Sequence, residues 1–510
     1  MKEFQITKAV FNNLKDFEIK ELRKKFRSNK VSPDKDSVSI SYLEILANKA
    51  DVSLVDVQNK LYKKINVVAF RKLNQRFLDK IFDILSMKEI LEVNESYDER
   101  SKAIFILEKK LLLIDLLRYR GLFKISDELL MQVIASAKNY ENYELLVYAF
   151  YKKRLRIPGT DSADELSLLD SEINKYHKNS LALATVKKIY TNLILTREKC
   201  NHSKTIWEHQ FAIKKIENLL NKSNSQTIQY YLVSIKAHYA GLQGNDIEAA
   251  HILLELADFI KESFIFSNNK YGTVLLNIAL YKRNVGEYYE AQSYLNDSFK
   301  YLNRLNETKI IVYYQSAVLN YLVGENDKTK YFIKLMPNLN IEKIDLKLKY
   351  RIYFLNILNL FILGNFQEAS LHLSSFKVNN KIDKNLDFER RILQLMISID
   401  LSNYDQSDKI LDSLRKLFND KSLNLNFSKH LKTIFVIMTG LKRVGYDFMS
   451  ISKKDRNTFD LYSKESKMKG DYLIPFVPWF NAKLKNQPYN HSAAMREMRR
   501  KYKADQLELV

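Results

Sequence analysis

The sequence predicts an all-α protein: a right-handed superhelical solenoid of helix-turn-helix hairpins with a period of about 38–42 residues, a distinct helical N-terminal segment and a C-terminal cap. Three observations predict it. Gly and Pro are scarce, 11 and 6 in 510 residues, and strand-rich folds need many turns that depend on these two residue types. A short turn pattern recurs at nearly constant spacing. Between the turns, apolar residues fall at the 3-and-4 spacing of one helix face.

The turn pattern is Gly, a polar residue, an aromatic or other turn residue, then Glu-Ala opening an apolar helix. It reads Gly244-Asn245-Asp246-Ile247-Glu248-Ala249 and Gly286-Glu287-Tyr288-Tyr289-Glu290-Ala291. It continues as Gly324-Glu325-Asn326-Asp327-Lys328-Thr329 and Gly364-Asn365-Phe366-Gln367-Glu368-Ala369, with a decayed copy at Ser402-Asn403-Tyr404-Asp405-Gln406-Ser407. The first residues of these copies lie 42, 38, 40 and 38 apart. Gly121-Leu122-Phe123 precedes Gly244 by close to three periods, and Gly445 follows Ser402 by 43 residues. Each copy reads as the corner of a helical hairpin. Glycine ends the first helix in a left-handed conformation, the aromatic packs at the corner, and the small residue lets the two helices approach. After Gly286, residues Tyr288, Ala291, Leu295, Phe299 and Leu302 line one face; before Gly364, Leu355, Leu358, Phe361 and Ile362 do the same. One hairpin cannot bury its own apolar face, so successive hairpins must stack.

The Gly-x-[Tyr/Phe]-x-Glu-Ala corner, clearest at Gly286–Ala291 and Gly364–Ala369, resembles the tetratricopeptide repeat family over roughly residues 100–445. The period is longer than that family's 34 residues, and the copies between 130 and 240 match poorly; Pro158-Gly159 occupies one expected turn. The resemblance implies that the first helix of each repeat lines a concave, partner-binding groove.

Both ends depart from the pattern. Residues 1–95 form a separate segment, 96–445 the repeats, and 446–510 a cap and basic tail. After an expected loop at Ser32–Ser39, helices are expected at Ile40–Ala47, Ser53–Tyr62 and Asn66–Leu85, the last carrying Arg71, Lys72, Gln75 and Arg76. Three such helices also suit a trihelical DNA reader, whose last helix would put those four side chains in a major groove. Near the C-terminus, Tyr472–Phe480 is aromatic and holds Pro475 and Pro478, which argues against regular helix. It is expected to cover the end of the last hairpin. Arg496, Arg499, Arg500, Lys501 and Lys503 crowd the tail, which reads as a solvated basic helix end.

The chain carries 82 Lys+Arg against 60 Asp+Glu, a net charge of +22, with Lys and acidic residues interspersed. Neither GxGxxG nor GxxxxGK[ST] occurs, so Gly-rich phosphate loops are excluded. No apolar run is long enough for a membrane span, and the single cysteine, Cys200, suits a reducing, cytoplasmic setting. The eight histidines are scattered. Only His202 and His209 near Cys200 suggest a cluster, and neither HExxH nor paired CxxC occurs, so no metal or other cofactor is expected and the histidines read as surface residues. Carboxylate pairs such as Glu287/Glu290 read as ordinary helix-surface charges, so no catalytic residue is nominated.

The reading is therefore a non-enzymatic interaction or scaffold module holding a peptide or protein along the concave face. Asparagine amides clamp a peptide backbone, and tyrosines add apolar area at low entropic cost. Candidates on the first helices are Asn277, Tyr281, Tyr314, Asn320, Asn356 and Asn359, with Asn277, Asn320 and Asn356 spaced by 43 and 36. The alternative is a ligand-sensing transcriptional regulator, in which the N-terminal helices or the basic tail meet nucleic acid.

Overall fold

A computed structural model describes residues 2–12, 14–28, 38–48, 53–62, 66–85, 98–157, 163–196, 202–302, 306–337, 344–376, 384–419, 429–465 and 473–497. All regular structure among the described residues is helical. No helix among them is long and apolar enough to cross a membrane. The chain divides into two compact units, Met1–Ile173 and Asn174–Val510. The segments drawn from sequence at 95 and 445 follow where the turn pattern starts and stops. Compactness instead divides the chain inside a long helix.

The first unit opens with α1 (Lys2–Asn12), α2 (Asp16–Ser28), α3 (Val38–Asn48), α4 (Leu54–Tyr62) and α5 (Val67–Leu85). The three expected helices are α3, α4 and α5. Of the expected loop Ser32–Ser39, Val38 and Ser39 already belong to α3, and the rest lies outside the described residues. Phe70, Leu73, Phe77, Ile81 and Ile84 put the apolar stripe of α5 inside, where α1 and α2 pack on it. Phe26 stacks on Phe77 at 5.3 Å. The buried Tyr42 hydroxyl donates to Asn74 Oδ1 at 2.7 Å, and burial pushes its ionisation well above the usual range. Next come α6 (Glu99–Tyr119), α7 (Phe123–Asn139) and α8 (Tyr143–Arg154), each packed on its chain neighbour. The expected turn at Pro158-Gly159 lies outside the described residues. Beyond it, α9 (Ala163–Thr196) runs from the first unit into the second.

The second unit continues with α10 (His202–Ser223), α11 (Gln226–Leu242), α12 (Asp246–Glu262), α13 (Asn268–Val285), α14 (Tyr288–Leu302), α15 (Asn306–Leu322) and α16 (Asn326–Leu335). Then follow α17 (Leu346–Ile362), α18 (Phe366–Ser375), α19 (Lys384–Asp400), α20 (Tyr404–Asn419), α21 (Lys429–Arg443), α22 (Lys453–Glu465) and α23 (Phe476–Leu484). From α10 to α22 each helix packs on the next, and the first helices α13, α15, α17 and α19 also pack in series. This is an all-α solenoid of tetratricopeptide-like hairpins.

The corners explain why the motif recurs. Gly121, Gly244, Gly286, Gly324, Gly364 and Gly445 take φ between 63° and 96°, and Ser402 takes 56°. A side chain in this region crowds the backbone, which is why glycine dominates. At Gly364 its N–H donates to Phe361 O and the Asn365 N–H to Leu360 O, both at 3.0 Å, closing the helix end as a Schellman turn. Five residues after every corner but Gly445 stands a small side chain, Ser126, Ala249, Ala291, Thr329, Ala369 or Ser407, and each of these six is 0% exposed. The aromatic two residues after the corner is less uniform: Phe366 packs on Phe361 at 5.6 Å, while Phe123 is largely exposed.

The C-terminal segment overturns one expectation. Residues 476–484 are helical despite Pro478, because proline in the first turn forfeits an N–H that has no partner there. Phe476, Trp479 and Phe480 are buried in one core with Phe448, Phe459 and the α15–α21 hairpins. Trp479 Nε1 donates to Asp400 Oδ2 at 2.9 Å, and Lys483 pairs with the same carboxylate. The chain then runs back across earlier corners. Tyr489 stacks on Phe361 at 5.9 Å, His491 Nε2 meets Tyr321 O at 2.9 Å, and Ser492 Oγ donates to Gly324 O at 2.6 Å. The expected end cap is thus also a strap over three hairpins. Of the basic tail, Arg496 is described and its Nε donates to Ser492 O; Arg499, Arg500, Lys501 and Lys503 lie outside the described residues.

Candidate functional site

Two of the six nominated groove residues meet at a cavity. Asn277 and Tyr281, one turn apart on α13, line a cavity of about 290 Å³ with residues of α9, α10, α11 and α12. Tyr281 can lie against α11 because residue 241 is glycine: a β-carbon there would stand 2.5 Å from the Tyr281 hydroxyl oxygen. Gly241 therefore holds two first helices close, and Tyr281 forms part of the wall between them.

The cavity wall also holds two histidines, His209 and His238, where the sequence pattern predicts surface residues. His209 on α10 is 1% exposed. Its Nδ1 lies 2.7 Å from Thr205 O, and its Nε2 lies 2.8 Å from His238 Nδ1 on α11. A carbonyl only accepts, so His209 Nδ1 carries the proton and Nε2 accepts. His238 Nδ1 must then be the donor, which leaves its Nε2 a lone pair when the ring is neutral. The chain of bonds fixes both tautomers and both ring planes. The pair His202/His209 suggested by sequence does not form the contact; the partner lies 29 residues on, across a helix junction. Cys200 lies outside the described residues. Among the described residues, no group of three or more His, Cys, Asp and Glu side chains is placed to hold a metal ion.

Tyrosine completes the cavity. Tyr190 on α9 and Tyr230 on α11 each lie near Tyr231, with ring centroids 5.0 and 5.2 Å away. Desolvation raises the hydroxyl ionisation of both Tyr190 and Tyr230, so the phenols stay neutral and act as hydrogen-bonding groups. Arg283, also in the wall, donates Nη1 to Gln315 Oε1 at 2.6 Å. Its guanidinium faces an amide of the next first helix, α15. The arrangement is a polar-aromatic recess with hydroxyl, amide, imidazole and guanidinium groups. It offers donors and acceptors for a ligand with polar edges and apolar faces.

The other four nominees are displaced from any exposed groove or stand apart. Tyr314, Asn320 and Asn359 are buried in the packing between hairpins. Asn320 Nδ2 donates to Ser316 O one turn back, and Asn359 Oδ1 makes no hydrogen bond among the described residues. Asn356 is half-buried on α17. The spacing that singled these out reports the hairpin period, and a half-turn difference in helix phase sends equivalent amides inward. The signal that would have found the histidines is their place on consecutive helices, one turn from a Gly-Tyr contact.

Arg71, Lys72, Gln75 and Arg76 are all exposed on α5. Their surface is not uniformly basic. Gln75 donates to Asp79 at 2.9 Å, Arg76 Nε bonds Lys72 O, and Lys80 pairs with Asp83.

No family model matches the chain, and no curated protein matches it. Among solved structures, the chain is similar to a signal transduction ATPase with numerous domains (STAND) protein with a tetratricopeptide repeat sensor from Pyrococcus horikoshii. Identity is 13%, the TM-score 0.27, and the match covers 84% of this chain and 63% of that one. The chain thus spans less than two thirds of that protein's length.

Proposed function

We propose that this chain is a non-enzymatic binding module that takes a peptide or protein partner on the first-helix side of the second unit. The cavity between α11 and α13 is its principal grip. The observation that carries the reading is the cavity itself: neighbouring first helices leave about 290 Å³ walled by Asn277, Tyr281, Arg283 and the His209–His238 pair. Preformed recesses with a few oriented polar groups fix a ligand's register at low entropic cost. Asn277 and Tyr281 serve as the accessible contacts, the histidine pair as a rigid back wall.

The test is selection of a displayed random-peptide library against the full chain. Recovered peptides should lose at least roughly tenfold in affinity when Asn277 and Tyr281 are both changed to Ala, the loss expected of one hot-spot contact. Circular dichroism and melting temperature should stay unchanged. Failure to enrich any sequence, or peptides indifferent to these substitutions, defeats the reading.

A further inference from the structure

The first unit carries a second surface of opposite character, independent of the cavity. Helix α6 is apolar on two faces. Leu107, Leu111 and Ile114 are buried, while Phe105, Leu112, Leu116 and Tyr119 on the far side are 39%, 64%, 50% and 90% exposed. An amphipathic helix needs only one apolar face to fold, and Leu112, Leu116 and Tyr119 leave a second one open to solvent. It borders an open groove of about 430 Å³ between α6 and α8, with Leu111 and Leu145 as floor and Leu112 and Tyr148 at its sides. Tyr148 is itself 51% exposed.

Charge selects the occupant. Three carboxylates line the same groove, Glu108, Asp115 and Glu144. Asp115 is answered by Lys152 at 2.6 Å. Glu108 and Glu144 are exposed and have no ion-pair partner among the described residues. In a chain of net charge +22, a leucine- and tyrosine-walled groove edged by unanswered carboxylates runs against the overall field. An apolar acidic groove between two helices fits a third helix with leucine-like side chains on one face and Lys or Arg beside them.

We infer that the α6–α8 groove is a docking site for a cationic amphipathic helix of a partner protein. Leu112 and Tyr148 take the apolar face, and Glu108 and Glu144 take the flanking cations. This site does not depend on the cavity in the second unit.

The test uses the full-length protein and two fluorescent synthetic helices of about 18 residues, long enough to hold helical structure, one of Leu and Lys and one of Leu and Glu. Anisotropy titrations at about 150 mM salt suppress long-range attraction. The Lys helix should bind at least tenfold tighter than the Glu helix. Non-specific attraction to a strongly basic protein predicts the reverse, so the sign of the preference decides. The double change Glu108→Lys and Glu144→Lys should weaken the Lys helix at least tenfold, and Leu112→Asp should do likewise. All three positions are exposed, so the circular dichroism spectrum should not move. Substituting Asn277 and Tyr281 should leave this binding intact. Equal or tighter binding of the Glu helix, indifference to the glutamate changes, or loss on changing Asn277 and Tyr281 would each overturn the assignment.

Discussion

From Ile310 to Phe480 the second unit is filled by one continuous core, in which Phe354, Leu355, Phe361, Leu393, Ile434 and Trp479 are all 0–1% exposed. Between Tyr230 and Ile278 the core is a smaller cluster, and the cavity lies beside it. Both regions are built from the same corner, with left-handed glycine and a small buried residue five positions on. The difference teaches what that corner controls. It sets where the chain turns and how closely a hairpin's own two helices approach. It does not set what fills the space between one hairpin and the next. Aliphatic and phenylalanine side chains close that space in the later hairpins. In the earlier ones, His209 and His238 meet at hydrogen-bonding distance, Tyr190 and Tyr230 pack ring to ring on Tyr231, and room is left beside them. Complete packing in the later hairpins contributes stability that the open cavity of the earlier ones forgoes.

The largest expected effect comes from opening the filled region. Trp479→Ala removes a fully buried indole and a donor to Asp400, and should cost about 4 kcal/mol. Urea unfolding followed by far-UV circular dichroism measures it; an unmoved midpoint would mean that the α23 segment lies outside the core.

Acid should act next. Burial holds the His491 imidazole down at about 4, against 6.5 for the free side chain. Its Nε2 gives a proton to Tyr321 O, and its Nδ1 accepts from the Tyr489 hydroxyl at 2.7 Å. Between those two values the unfolded chain binds the proton and the folded chain does not. This group's stabilising contribution is therefore full above pH 6.5 and falls as pH drops toward 4, by about 3 kcal/mol in all. His491→Gln keeps a donor for Tyr321 O and lacks the titration, so its stability should fall less over that window. Parallel slopes for the two proteins would remove His491 as the cause.

The corners give the finest comparison. At Gly364 a β-carbon would meet nothing within 4 Å, so Gly364→Ala should cost only backbone strain, about 1 kcal/mol. At Gly324 it would stand 3.0 Å from Met495 Cβ and 3.1 Å from Ser492 Cα of the strap, so Gly324→Ala should cost more. Ser402 already bears the strain at φ 56°, and Ser402→Gly should return about 1 kcal/mol. Melting temperatures should therefore rise in the order Gly324→Ala, Gly364→Ala, wild type, Ser402→Gly. Any other order breaks the equivalence of the corners.

The fold was legible because its signals are local. Glycine scarcity, helical periodicity and the corner at Gly286 or Gly364 each concern residues within a few positions of one another. The proline pair misled for a local reason too: Pro478 forbids helix only if helix extends a turn before it, and α23 begins at Phe476. The candidate site was legible only in part: of the residues named for their place on a first helix, Asn277 and Tyr281 line the cavity, while Asn320 and Asn359 are buried. A helix phase error of half a turn carries an amide from groove to core, and period counting does not fix phase.

By itself, then, the sequence determined that the chain is helical, where its hairpins turn, and that tight corners need glycine, since these follow from backbone sterics and nearest-neighbour spacing. The tertiary structure alone decided which gaps stay open, that His209 meets His238, that the C-terminal segment straps back to Gly324, and that the outer stripe of α6 stays exposed. Those outcomes depend on packing between residues tens to more than a hundred positions apart, and no local pattern encodes which distant surface a side chain will meet.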